Sequence, residues 1–188
     1  MDIKLLNIEA TSGLDKETIR ENYDALIDYS SPFFRGDLRF PSLAASENGL
    51  THFAEVKDIF TAFYIIAAIT LVLGIVIIIY KAKNRDYSYL LTSAVTAIVL
   101  PLLLALYMAV DFDRAFVIFH KIFFRNDYWL FDPATDPVIT ILPDTFFMHS
   151  AIMIIVIVLL FCLTFILFYI RTKRHTGIKY RKIKALKI

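Results

Sequence analysis

Three long runs of the chain carry no charged residue: 59–80, 87–110 and 145–170. Each exceeds the ~20 residues needed to cross a hydrocarbon core as a helix, so three transmembrane helices are predicted. Composition agrees, with 58% of residues in the hydrophobic set against roughly 45–50% in soluble domains. A cytosolic globular enzyme fits poorly. So does a nucleic-acid binder, since the net charge is only +2.

Charge assigns an orientation. The 81–86 connection holds Lys81, Lys83 and Arg85 against Asp86. The 171–188 tail carries eight Lys or Arg and no acid. Loop 111–144 has six Asp against Arg114, Lys121 and Arg125. Short basic segments stay cytoplasmic, which puts 81–86 and the tail inside the cell and both 1–58 and 111–144 outside. The tail then faces anionic headgroups, or is simply the topology signal. Residues 1–58, with eleven acids and six bases, have no apolar segment able to act as a signal peptide. Their export implies one further transmembrane helix upstream, with direct N-out insertion of a short acidic segment as the lesser alternative. The expected fold is therefore an all-α membrane protein: three visible spans, a fourth missing before them, and a small extracytoplasmic cap.

Within the cap, Ile19, Tyr23, Leu26 and Ile27 mark one face of an amphipathic helix ending at Ser30-Ser31-Pro32. The polar stretch after it, with Pro41 and the SENG turn at 46–49, reads as irregular or as a short strand pair. THFAEVKDIF (51–60) reads as an upward extension of the first span. His52 then lies roughly 10 Å above the start of the charge-free run, with Glu55 at i+3 on the same face. Residues 112–131 contain eight aromatics. Phe112, Phe116, Phe119 and Phe123 share one helical face, with Arg114, Lys121 and Arg125 opposite and His120 at the border. That pattern suits a helix lying in the membrane interface. A purely structural aromatic belt would look the same.

His52, His120 and His149 fall near the outer surface, and His175 lies in the tail. No HExxH motif and no close histidine pair exists, so no metal is expected. No cofactor is expected either, for the five glycines form no phosphate loop. The lone cysteine, Cys162, is mid-span and reads as a packing residue. There is no nucleophile elbow, and no span carries a central carboxylate of the kind ion-coupled transporters use. An enzyme here would need histidine as its base and a substrate that brings its own nucleophile.

Three segments, NYDALIDY (22–29), THFAEVKDIF (51–60) and FHKIFFRNDYWLFDPATDPVITILPDTFF (119–147), resemble the lipoprotein intramolecular transacylase family of Gram-positive bacteria. The run FH-x-IFF-x-ND-x-W-x-FDP is its most specific part, and Glu55 stands where Asp is expected. The resemblance implies four transmembrane helices and an outward cap. It also implies transfer of the sn-2 acyl chain of a diacylglyceryl lipoprotein to the α-amino group of its N-terminal cysteine. His52 and His120 would be the catalytic pair, supported by Glu55. Asn126, Asp127 and Trp129 would shape the headgroup site, and Phe116, Phe119, Phe123 and Phe124 would hold acyl chains. Its partners would be diacylglyceryl lipoproteins and membrane lipids, and its location the cell membrane. His149 lies outside the motifs. The alternative is a non-enzymatic membrane scaffold that docks a partner through its aromatic cap.

Overall fold

The computed structural model describes residues 3–185, with side chains to residue 173. His175 and most of the basic tail's side chains, together with residues 1–2 and 186–188, lie outside the described residues. Among the described residues there are six α-helices: α1 (Ile8–Ser12), α2 (Lys16–Ser30), α3 (Glu47–Lys83), α4 (Ser88–Val110), α5 (Phe112–Phe123) and α6 (Asp144–Ala185). A 3-10 turn, Pro137–Ile141, precedes α6. Among the described residues no strand forms, so of the two readings of the stretch after α2 the irregular one holds.

The chain divides into two compact units. The first comprises residues 1–71 and 113–149 and contains the cap. Its core is Ile3, Ile8, Ile19, Leu26, Tyr29, Leu38, Phe53, Val138, Ile141 and Leu142. Helix α2 begins where the Asp15 carboxylate accepts the Glu17 and Thr18 N–H groups at 2.9 and 3.0 Å, meeting two donors that a helix start leaves unpaired. Its buried face is Ile19, Asn22, Leu26 and Tyr29. Ile27, expected on that face, is 51% exposed. The face is turned because the Asn22 amide belongs inside. It donates to the Thr18 carbonyl (2.7 Å) and Ser42 Oγ (2.6 Å), and accepts the N–H groups of Ser42 and Leu43 at 3.3 Å.

The SENG segment is a helix start rather than a turn. Ser46 Oγ accepts the Gly49 N–H at 3.0 Å, so Ser46 caps α3. The Asp136 carboxylate accepts the Ser46 N–H at 2.7 Å and joins the 132–136 loop to that helix end. From there α3 runs unbroken for 37 residues into the first apolar run, as THFAEVKDIF suggested.

The second unit, residues 72–112 and 150–188, is built from segments of α3, α4 and α6. Its large side chains are mostly exposed, those of residues 72–80 included. Helices apolar all round, with backbone polar groups satisfied internally, are stable in lipid and not in water. Helices α3, α4 and α6 are each long and apolar enough to cross a membrane. Leu90, Ala94 and Cys162 are buried in this unit. Lys81 and Asp86 pair at 2.6 Å across the connection between α3 and α4.

Candidate active site

His52 and His120 arrive from α3 and α5 and meet in the cap. Their ring centroids are 5.9 Å apart, and both side chains are buried, at 5% and 8% exposure. The pair that sequence spacing could not join is made by tertiary packing. His120 faces inward, although the helical wheel put it at a polar border. Helix α5 has a third side, turned toward the cap interior, and His120 and Phe116 occupy it.

Aromatic rings enclose the pair. Phe124 touches both, at 4.6 Å from His52 and 5.6 Å from His120. Phe131 lies 5.5 Å from His52, and Phe116 and Trp129 lie 4.1 and 4.6 Å from His120. The Trp129 ring is nearly parallel to the His120 imidazole, at 28°. Burial in this box lowers the His52 pKa to about 4, with the nearby His120 as a second cause. Burial also lowers that of His120, while its bond to the Phe116 carbonyl works the other way. Both rings are therefore neutral near pH 7.

That bond fixes a tautomer. His120 Nδ1 lies 2.8 Å from the Phe116 carbonyl oxygen, which can only accept, so Nδ1 carries the proton. In the neutral ring, Nε2 then keeps a free lone pair, which is the requirement for a base.

A short relay of contacts holds this arrangement. Asn126 Nδ2 donates to Glu55 Oε1 at 2.7 Å, and the Asn126 carbonyl accepts the Trp129 indole N–H at 3.1 Å. Glu55, one turn beyond His52 on α3, is thus linked to the ring stacked on His120. Two buried polar atoms here have no protein partner: His52 Nδ1 and Glu55 Oε2. Buried polar groups are normally paired, so two orphans on one face of α3 mark a place for a polar group from outside the chain.

Other expected site residues divide between the box and the surface. Asn126 and Trp129 are in the relay, and Phe116 and Phe124 line the pair. Phe119 and Phe123 lie 4.7 Å apart with their rings tilted and are about half exposed, so the stripe splits between an inner and an outer side. Asp127 is exposed, and its carbonyl accepts the Leu130 N–H. His149 is also exposed. Sequence reasoning missed Phe131, counted only as one more interfacial ring, and Asp136, counted only as a loop acid. The FDP part of the 119–147 motif was the available signal for Phe131.

Chemically, two neutral imidazoles in a nearly dry aromatic box can move a proton between two groups of a bound substrate. The rings against them offer no hydroxyl or thiol for covalent catalysis.

The family profile described as lipoprotein intramolecular transacylase Lit matches residues 1–147. Among solved structures, the chain is similar to the membrane-integral lipoprotein intramolecular transacylase Lit from Bacillus cereus. Identity is 37% and the TM-score 0.92, with 94% of this chain and 82% of that chain covered. A version of that protein with one histidine replaced by arginine matches at 36% identity and TM-score 0.85, over 95% and 80% of the two chains. A version with histidine replaced by alanine matches at 36% and 0.85, over 94% and 80%. Comparison with curated proteins gives no match.

Proposed function

The chain belongs to the lipoprotein intramolecular transacylase Lit family, and from that membership we propose how its residues divide the reaction. It is an integral membrane acyltransferase. Its substrate is a diacylglyceryl-modified lipoprotein, and the sn-2 acyl chain moves to the α-amino group of the N-terminal cysteine. The product is a lyso-form lipoprotein.

The amine nitrogen attacks the sn-2 carbonyl carbon, and the C=O electron pair moves onto oxygen. His120 Nε2 takes the proton that the nitrogen loses. The tetrahedral intermediate collapses, the carbon–oxygen bond to glycerol breaks, and the same proton goes to the departing glycerol oxygen. No water or second substrate enters the balance. Because amine and ester belong to one molecule, holding them together can supply several kcal/mol of the barrier. His52, neutral and beside His120, orients the amine or stabilises the oxyanion. Glu55 and Asn126 position Trp129 against His120. Phe116 and Phe124 seat the reacting ester, and the outer rings of Phe119 and Phe123 hold acyl chains at the membrane surface. Asp127 meets the headgroup. The cap faces outward and the C-terminus inward, as the Lys/Arg distribution indicates.

The observation that carries this reading is the buried histidine pair with one tautomer fixed by a backbone carbonyl. Mass spectrometry of lipoprotein N-terminal peptides tests it, in hosts expressing each variant at equal level. His52→Ala and His120→Ala should each cut lyso-lipoprotein by about 10²–10⁴-fold, the usual range for a lost acid–base group. His149→Ala should retain most activity. Near-full turnover in either of the first two variants would remove the paired-histidine mechanism.

A further inference from the structure

The turn at residues 31–35, between α2 and the irregular stretch, presents the ring of Phe33 outward at 81% exposure, the highest of any described phenylalanine. We propose that this turn is a membrane wedge, with Phe33 seated among the lipid acyl chains beside α3.

The turn is held in place. The Phe33 N–H meets Ser31 Oγ at 3.3 Å, and the Phe34 N–H meets the Ser31 carbonyl at 3.1 Å. Lys57 Nζ donates to the Phe34 carbonyl at 3.2 Å and sits 4.3 Å over the Tyr29 ring and 5.1 Å over that of Phe34. Tyr29 and Phe34 meet edge to face at 5.9 Å. A ring so exposed on so well-braced a turn is presented to something.

Height along α3 says to what. Lys57 lies just before the charge-free run, at the level where lysine reaches headgroups. Phe33 packs edge-on against Tyr64, with centroids 6.4 Å apart. Tyr64 lies five residues inside that run, about 7 Å further down the helix. The turn therefore starts at the height of Lys57 and ends below the level where the charges stop. Around Tyr64 the surface of α3 is uncharged, mostly apolar and open, with Phe60, Phe63 and Ile65 all 43–55% exposed. Phe33 continues the lipid-facing belt rather than interrupting a wet surface. Arg35, exposed on the same turn, is placed for lipid phosphate. The consequence is a second grip on the bilayer besides the outer rings of α5, setting the height at which the cap stands over lipid esters.

The test reads depth and does not depend on turnover, so it is separable from the assignment of the histidines. The full chain, with Cys162→Ala, receives a nitroxide at Phe33→Cys, Tyr64→Cys or Asp37→Cys in vesicles of phosphatidylglycerol and phosphatidylethanolamine. Electron spin resonance power saturation then compares collision with oxygen, which partitions into lipid, and with a water-soluble nickel chelate. Labels at 33 and 64 should favour oxygen several-fold, and the label at the exposed Asp37 should favour nickel. Nickel dominance at 33 would place the ring in water and overturn the proposal. Exclusion of both reagents with label–label broadening would overturn it too, in favour of a second copy of the chain on this turn.

Discussion

Burial takes charge away from the two central imidazoles, and this has a consequence for acid stability. His52 has a folded pKa of about 4 against an unfolded value near 6.5. Above about pH 6.5 the ring is neutral in both states and proton linkage adds nothing. As pH falls below that value the unfolded chain binds a proton that the folded chain refuses, so stability drops until about pH 4. At ~1.4 kcal/mol per unit the loss is on the order of 3 kcal/mol. Thermal melting of the purified protein across pH 4–7 should show it, and His52→Gln should flatten the lower part of the profile. Unchanged acid lability in His52→Gln would mean that other groups govern it. Transacylation should fall on the acid side of the ordinary imidazole range, because burial lowers the pKa of His120, the base. The two histidines were legible in the sequence only through the motifs that carry them. Their convergence was not, because it depends on α5 turning His120 inward. Asn22 was hidden for a related reason: an asparagine reads as surface until the strand-free stretch it binds at Ser42 and Leu43 is in place.

At the scale of elements, the start of α3 fixes how high His52 stands, and that start depends on a close approach. A Cβ on Gly49 would run into the Asp136 carboxylate and come within 3.1 Å of the Phe131 ring. Gly49→Ala should therefore push Asp136 from the Ser46 N–H and press on the ring beside His52. The expected cost is about 1–3 kcal/mol, seen as a lower melting temperature with reduced transacylation. Gly74→Ala is the matched comparison, since nothing lies within 4 Å of a Cβ there, and it should leave both readouts unchanged. Equal behaviour of the two alanine variants would remove Asp136 from the account of α3. The helices were the most legible elements. The runs 59–80 and 145–170 fall in α3 and α6, and 87–110 is α4 with its N-cap Tyr87, because a charge-free run of that length has few alternatives. SENG was misread because Ser, Asn and Gly serve turns and helix starts alike. The Ser46 cap on the Gly49 N–H and the Asp136 carboxylate, distant in sequence, hold it as a helix start.

For the whole molecule, the distribution of charge about the spans makes the last prediction. The connection between α3 and α4 carries Lys81, Lys83 and Arg85, whereas 111–144 carries twice as many acids as bases, six against three. Retention of Lys and Arg on the cytoplasmic side predicts Asn84 inside and Ala134 outside. Both are exposed, and substituting them leaves every charge in place. In a Cys162→Ala background, a membrane-impermeant maleimide added to intact cells should label Ala134→Cys at once and Asn84→Cys only after lysis. The proposed reaction calls for the same arrangement independently of the charge rule. The lipid-modified cysteine of an exported lipoprotein presents its amine on the outer face, so a histidine pair on the other side would meet no substrate. If Asn84→Cys is labelled first while lyso-lipoprotein still forms, topology and activity cannot both be as described. Reversing the charge bias separates them. Replacing Lys81, Lys83 and Arg85 by Gln should weaken the labelling asymmetry and lower transacylation in proportion to the chains left with the cap outside. A loss of activity at intact asymmetry would point instead to damage within the connection, where Lys81 holds Asp86 at 2.6 Å.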